Sequence, residues 1–268
     1  MSAKIIPRLI TALVGIPALI WVVGWGRSWI FSLLVLLVTI ISLFEYYFMA
    51  FPGRRREQAA GVLAGFVVSC GILIENYSDP APWLAGVIVL LFSGHLFFGG
   101  TLEERYRNLG WMLLGTLYIG YLVPHAALLY RLPDGKEWIF LVLLVIMVGD
   151  TAAYVVGTLF GRRKLFPEIS PGKTVEGALG STVASLAAGV IGGGFLLPDN
   201  PWVELLGISL ILSVLGQAGD LFESWIKRVF GVKDSSALLP GHGGLLDRMD
   251  SLIFPLVFAT YYLRILHR

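Results

Sequence analysis

Long apolar blocks alternate with short polar segments along the whole chain. The blocks fall at roughly 9–26, 29–51, 59–75, 82–100, 109–130, 138–160, 174–197, 202–226 and 249–266. Most are near the ~20 residues that a helix needs to cross about 30 Å of hydrocarbon. The pattern predicts an all-α, polytopic integral membrane protein with about nine transmembrane helices. Trp29, Trp83, Trp138 and Trp202 stand at block ends, where indole rings favour the headgroup level. Pro17, Pro124 and Pro255 lie inside blocks, and each is expected to kink or interrupt its helix. The seventh block carries Gly177, Gly180, Gly189, Gly192, Gly193 and Gly194. Small residues let helix backbones approach, so a packing role is expected for it.

Composition agrees with this reading. Of the 268 residues, 56% are hydrophobic and 14% charged, against roughly 25% charged in soluble domains. The net charge of +2 leaves no nucleic-acid footprint. The single cysteine, Cys70, sits in an apolar block and is expected to pack as a small hydrophobe. Lys4 and Arg8 precede the first block, but Trp21, Trp25 and Trp29 follow in place of a small-residue cleavage pattern. The block is therefore expected to be a retained span. With nine spans, one set of flanks holds 15 Lys and Arg and the other 5. The richer set is expected in the cytoplasm, which puts the N-terminus inside. About five spans fall within 1–135, and about four within 136–268 with the richest polar chemistry.

Ionisable residues within spans are costly and draw attention to function. They are Glu45, Asp150, Glu176, Asp220 and Glu223. For Glu45, beside Tyr46 and Tyr47, structure and function weigh equally. Asp220, Glu223 and Lys227 follow i, i+3, i+7 spacing and share a helix face. An internal ion pair is the plain alternative. The densest polar stretch comes next: Ser224, Lys227, Arg228, Lys233, Asp234, then Pro240-Gly241-His242-Gly243-Gly244 and Asp247-Arg248-Met249-Asp250. Glycines allow tight turns whose N–H groups hold anions. Arg and Lys clamp phosphate oxygens. Carboxylates hold Mg²⁺ beside substrate phosphates. The set points to metal-assisted phosphate chemistry, with a solvated loop of scattered ion pairs as the alternative.

A second stretch runs from Asp150 through Gly157 and Gly161 to Arg162-Arg163-Lys164, then Ser170-Pro171-Gly172-Lys173-Thr174-Val175-Glu176. Its Gly-Lys-Thr triplet is not a P-loop, because Pro167 stands where the first glycine is needed, and no strand is expected before it. Residues 170–176 are expected to start the seventh helix, with its N–H groups available to phosphate. His95 and His125 are expected to pack with one hydrogen-bond partner each, and Glu103 to Arg107 to form a solvated connector.

Residues 220–250 resemble the signature of the phosphatidate cytidylyltransferase (CDP-diacylglycerol synthase) family. Ser224-x-hydrophobic-Lys227-Arg228, four residues, Lys233-Asp234, then Pro240-Gly-His-Gly-Gly244-x-x-Asp247-Arg248-x-Asp250 matches throughout. Asp150 and Ser170–Gly177 fit the same family. The resemblance implies cytidylyl transfer from CTP to phosphatidic acid, for phospholipid biosynthesis. It implies Mg²⁺ at one or two sites, with Asp220 and Asp247 as its first ligands and Asp250 beside them; a monovalent cation is compatible. Catalysis would engage Asp220, Lys227, Arg228, Lys233, His242, Asp247, Arg248 and Asp250. Substrate binding would involve Asp150, Ser170, Lys173, Thr174, Glu176, Glu223, Asp234, Gly243 and Gly244. The expected partners are CTP, phosphatidic acid and membrane lipid, with a homodimer compatible and a bacterial inner membrane the expected setting. A CTP-dependent polyprenol or phytol kinase and an ion-coupled transporter are the competing readings. The first would phosphorylate a lipid alcohol; the second leaves the Lys-, Arg- and Gly-rich loops unexplained.

Overall fold

In hydrocarbon each backbone N–H must bond within its own segment, so bilayer-length apolar blocks become helices. The computed structural model describes residues 15, 17–74, 81–97, 99–238 and 243–266, and helices dominate them. After helical residues 17–25 come α1 (Ser28–Ala50), α2 (Arg55–Leu73), α3 (Ala81–His95) and α4 (Leu102–Gly115). A π-turn (Thr116–Tyr121) leads to α5 (His125–Tyr130) and α6 (Gly135–Phe160). Strands β1 (Lys164–Phe166) and β2 (Ser170–Thr174) precede α7 (Val175–Leu196), α8 (Trp202–Val229) and α9 (Leu246–Leu266).

Among the described residues, seven helical stretches are long and apolar enough to cross a membrane: α1, α2, Leu102–Tyr130, α6, α7, α8 and α9. This is a multi-pass membrane protein. The expected block at 82–100 appears as α3, which at 15 residues is shorter than those seven. Residues 9–14 and 16 of the first expected block lie outside the described residues, as do Lys4 and Arg8.

Contacts divide the chain into two compact units. The first comprises Met1–Leu128 and Asp234–Asp247. Its core holds Tyr46 and Tyr47, both fully buried. Buried phenols need partners. Tyr46 donates to the Trp111 carbonyl (3.1 Å) and Tyr47 to that of Met112 (2.7 Å). Pro124 has the expected effect upstream. It has no N–H, so the Gly120 carbonyl four residues earlier loses its helical donor. The Ser69 hydroxyl lies 2.8 Å from that oxygen. It can do so because α2 and the π-turn touch backbone to backbone: a Cβ on Gly120 would lie 2.6 Å from the Gly65 Cα.

One expectation in this unit is corrected. Glu103 to Arg107 is not a connector but the first turns of α4. Thr101 accepts from the Glu104 N–H (3.2 Å), and the Glu104 carboxylate accepts from the Thr101 N–H (3.1 Å). This reciprocal capping box starts the helix despite its exposed, charged sequence. His95 and His125 behave as expected, each with Nδ1 on a carbonyl one turn back, Leu91 (3.1 Å) and Tyr121 (2.9 Å).

The second unit comprises Leu129–Lys233 and Arg248–Arg268. Here α7 packs on α6 and α8 through its small residues. A Cβ on Gly189 would meet the Ser209 side chain, and one on Gly193 would meet Leu205. Gly149 of α6 faces Ser181 and Ser185 in the same way. Close backbone approach thus replaces the hydrophobic drive that lipid removes. The glycine-rich block does pack, although Gly194 faces open space.

The helical fold carries a small ribbon: β1 and β2 pair antiparallel, with Lys164 opposite Thr174 and Phe166 opposite Ser170. One expectation is corrected by it. The seventh helix starts at Val175 rather than Ser170. Its N-cap is Thr174, whose hydroxyl accepts from the Gly177 N–H at 3.1 Å. Proline at 171 has no N–H and fixes φ, which suits an edge ribbon better than continued helix.

Candidate active site

The candidate residues gather into one group in each unit. In the second unit the group sits around Asp220, in the C-terminal half of α8. Gly219 brings the last helix close: a Cβ there would lie 2.3 Å from the Asp250 carbonyl oxygen. The Lys173 ammonium reaches from β2 to the Asp220 carboxylate at 2.7 Å. Ser224 Oγ lies 3.4 Å from the other oxygen of Asp220. Asp150 Oδ2 is 3.5 Å from Ser251 Oγ, and Asp250 Oδ1 accepts from the Ser251 N–H at 2.7 Å. Asp150 and Asp250 both lie within electrostatic range of Asp220 and Lys173. Three carboxylates from α6, α8 and α9 therefore share the field of Lys173, and Asp250 also that of Lys227. Carboxylates this close repel one another, and a further cation relieves the repulsion.

One turn along α8, Glu223 is fully buried and pairs with Lys227 at 2.5 Å. The two form an internal i,i+4 ion pair. Removing either partner would leave a buried charge, a cost of about 3–5 kcal/mol. Arg228 is exposed but engaged. It donates to the carbonyls of Ile169 and Val232, each at 3.1 Å. It thereby ties the β-ribbon to the end of α8. That end is a Schellman turn, with Gly231 at φ 71° and Val232 N–H bonded to the Lys227 carbonyl at 2.9 Å. Glu176 accepts from the N–H groups of Arg162 (3.1 Å) and Arg163 (3.2 Å). The hydroxyl of Thr174 is used as a cap. Both residues thus organise the ribbon's base. Ser170 lies in β2, while Lys233, Asp234 and Arg248 are exposed.

Because Gly219 sets the approach of α8 to Asp250, Gly219→Ala tests this group. It is expected to lower turnover about tenfold or more, since overpacking costs about 1–3 kcal/mol and must displace the Asp250 backbone. Comparison of turnover with thermal stability in detergent checks it. Unchanged turnover would mean that this approach does not matter to the chemistry.

In the first unit the group forms around Asp247, in the first turn of α9. Its Oδ2 accepts from Gly244 N–H (2.7 Å), Ser235 N–H (3.0 Å) and Ser235 Oγ (3.0 Å). Gly243 has φ 79°. A Cβ on Gly243 would lie 2.6 Å from Asp247 Oδ2, and one on Gly244 would lie 1.9 Å from Ser235 Oγ. These two glycines are therefore required by the fold around Asp247. His242 lies outside the described residues. Sequence reasoning gave no role to Ser235, Ser236 or Ser251, and only balanced alternatives to Glu45. Their signal was weak: serines beside charged motif residues, and a solitary carboxylate in an apolar block.

Among the described residues, no three His, Cys, Asp or Glu side chains form a preformed metal cage. The donor set nevertheless suits Mg²⁺, which takes one or two carboxylates and completes its shell with water and substrate phosphates. Asp220 and Lys173 retain about a third and a quarter of their side-chain exposure, so the carboxylate is reachable.

Comparison with known proteins identifies the family. Residues 6–266 match the family model described as the cytidylyltransferase family. A phosphatidate cytidylyltransferase of Bacillus subtilis is 35% identical over 239 residues, covering 87% of this chain and 88% of the relative. One from Staphylococcus haemolyticus is 31% identical over 263 residues, covering 96% of each. One from Staphylococcus aureus strain COL is 36% identical over 200 residues, covering 72% of this chain and 76% of the relative. With its motif residues intact and the match running almost end to end, the chain belongs to the cytidylyltransferase family and is a nucleotidyltransferase.

Proposed function

We propose that this protein transfers the cytidylyl group of CTP to phosphatidic acid, giving CDP-diacylglycerol and pyrophosphate. The observation that carries this reading is the unbroken motif from Ser224 to Asp250 in a chain that matches the family over residues 6–266. Its relatives are named phosphatidate cytidylyltransferase. The three carboxylates and Lys173 around Asp220 support it as a place where polyanions can be handled.

The lipid phosphate is already an anionic nucleophile and needs little general-base help. Its oxygen bonds to the α-phosphorus of CTP, and the bond to the bridging oxygen of pyrophosphate breaks in line. The barrier lies in bringing two polyanions together, so positioning and charge stabilisation supply most of the catalysis. Mg²⁺ is the proposed cofactor at one or two sites, with Asp220 and Asp250 as proposed protein ligands in the second unit and Asp247 in the first. When bound, it supplies charge neutralisation and orientation of phosphate oxygens. Lys173, paired with Asp220 at 2.7 Å, would exchange that carboxylate for a phosphate oxygen. Lys233 and Arg248, exposed and cationic, neutralise the triphosphate and the lipid headgroup. Arg228 and the Glu223–Lys227 pair fix the end of α8 from which Asp220 projects.

We read the chain as nine spans with the N-terminus and the active site in the cytoplasm of a bacterial inner membrane. The 15-to-5 distribution of Lys and Arg supports that orientation. CTP then arrives from the cytosol while the acyl chains stay in the bilayer.

The test uses purified protein in micelles with phosphatidic acid, Mg²⁺ and CTP labelled at the α-phosphate. Label is expected in the organic phase, with stoichiometric pyrophosphate. Chelation should abolish the transfer, and added Mg²⁺ should restore it. Activity that survives chelation would remove the metal from the mechanism. Label retained in aqueous CDP while an added lipid alcohol became phosphorylated would establish a kinase instead.

A further inference from the structure

Glu45 lies near the C-terminal end of α1, almost 200 residues from the motif, yet it is 6% exposed and packed into the motif's own loop. Its Oε1 accepts from Ser236 Oγ (2.6 Å) and Leu245 N–H (2.9 Å). Its Oε2 accepts from Leu246 N–H (2.7 Å) and lies 3.2 Å from Ser235 Oγ, whose one proton it shares with Asp247. Leu246 is the first residue of α9, so the carboxylate also sits at the positive end of that helix. Three donors, and a proton shared with Asp247, tie one buried carboxylate to both ends of the loop, residues 235–236 and residues 245–246. Gly244 completes the fit, since a Cβ there would lie 2.7 Å from both Glu45 oxygens.

The Ser235 hydroxyl lies 3.2 Å from Glu45 and 3.0 Å from Asp247 Oδ2. It is the direct link between the two carboxylates. Groups that orient a ligand carboxylate are commonly worth 10- to 100-fold in metal affinity or activity. We propose that Glu45 is a positioning residue for cytidylyl transfer. Held by Ser236, Leu245 and Leu246 and sharing the Ser235 hydroxyl proton, it fixes the loop from Ser235 to Leu246 and, through Ser235, the orientation of the Asp247 carboxylate. The inference rests on Asp247 acting in the reaction as proposed above.

The isosteric change Glu45→Gln is a sharp probe because an amide cannot satisfy this site. Each oxygen of Glu45 receives a backbone N–H, from Leu245 on one side and Leu246 on the other. Whichever way the amide turns, its NH₂ faces a donor that cannot reverse. A purely structural anchor would lower thermal stability and leave the chemistry of the folded protein intact. A positioning residue changes the chemistry per folded molecule.

The experiment compares full-length wild type, Glu45→Gln, Ser235→Ala and Asp247→Asn in detergent. It measures kcat per folded protein, and Mn²⁺ binding from the loss of the free-ion electron paramagnetic resonance signal. Glu45→Gln is expected to lower kcat and weaken Mn²⁺ binding, each by about 10- to 100-fold. Ser235→Ala, which removes only the link, should change both in the same direction by a smaller factor. If Glu45→Gln does not fold, Ser235→Ala decides. Wild-type kcat and Mn²⁺ affinity in the folded variants would overturn the positioning role, provided Asp247→Asn is inactive. If Asp247→Asn itself turns over normally, the proposed role of Asp247 has failed instead.

Discussion

Asp247→Asn is expected to reduce turnover by at least about 100-fold, the scale seen when one group that stabilises transition-state charge is removed. Fold should be retained, and the local geometry explains why. The shorter contacts converge on one carboxylate oxygen, Oδ2, which takes Gly244 N–H and both Ser235 donors. An asparagine can set its carbonyl oxygen in that place. Its NH₂ then replaces Oδ1, whose contact with Ser235 N–H is longer at 3.3 Å. Hydrogen bonds to a neutral acceptor are weaker than those to a charged one by about 1 kcal/mol, and that sets the expected loss of stability. Asp247→Ala would delete the contacts as well as the charge and confuse the two effects. The measurement pairs labelled-CTP turnover with thermal unfolding in detergent. Near-wild-type turnover in a folded Asp247→Asn would remove Asp247 from the chemistry.

The helical membrane architecture could be read from block length because lipid leaves a spanning segment few other ways to satisfy its backbone. The same rule explains the misreadings outside the apolar blocks. Glu103 to Arg107 read as a connector because charge suggested solvent. Yet Thr101 and Glu104 form a capping box, a local pattern that outweighs exposure. Ser170–Thr174 read as the start of a helix, while its pairing with Lys164–Phe166 depends on a partner strand that no local spacing announces. The motif made Asp220, Asp247 and Asp250 candidates, but not their company. Lys173 lies 47 positions before Asp220 and meets it at 2.7 Å. Glu45 meets Leu246 from 201 positions away. Long-range pairs of that kind come from tertiary packing, which one sequence does not display. The Glu223–Lys227 pair was legible, because i,i+4 spacing on a helix is local.

Asp220→Asn is expected to separate stability from catalysis even more cleanly. The Lys173–Asp220 pair is partly exposed on both sides, and pairs of that kind contribute about 0–1 kcal/mol. Asparagine keeps an oxygen for the Lys173 ammonium and can donate its NH₂ to Ser224 Oγ. Thermal stability should therefore change little. The electrostatic balance changes more. Asp150, Asp220 and Asp250 share the field of Lys173, and removing the charge at Asp220 weakens the attraction for a divalent cation. Turnover is expected to fall by about 100-fold or more, with a higher Mg²⁺ concentration needed for half-maximal rate. A Mg²⁺ titration of turnover at saturating CTP reads both effects. If Asp220→Asn kept wild-type turnover and Mg²⁺ dependence, the carboxylate would serve only to hold Lys173, and the metal would have to be sought elsewhere in the protein.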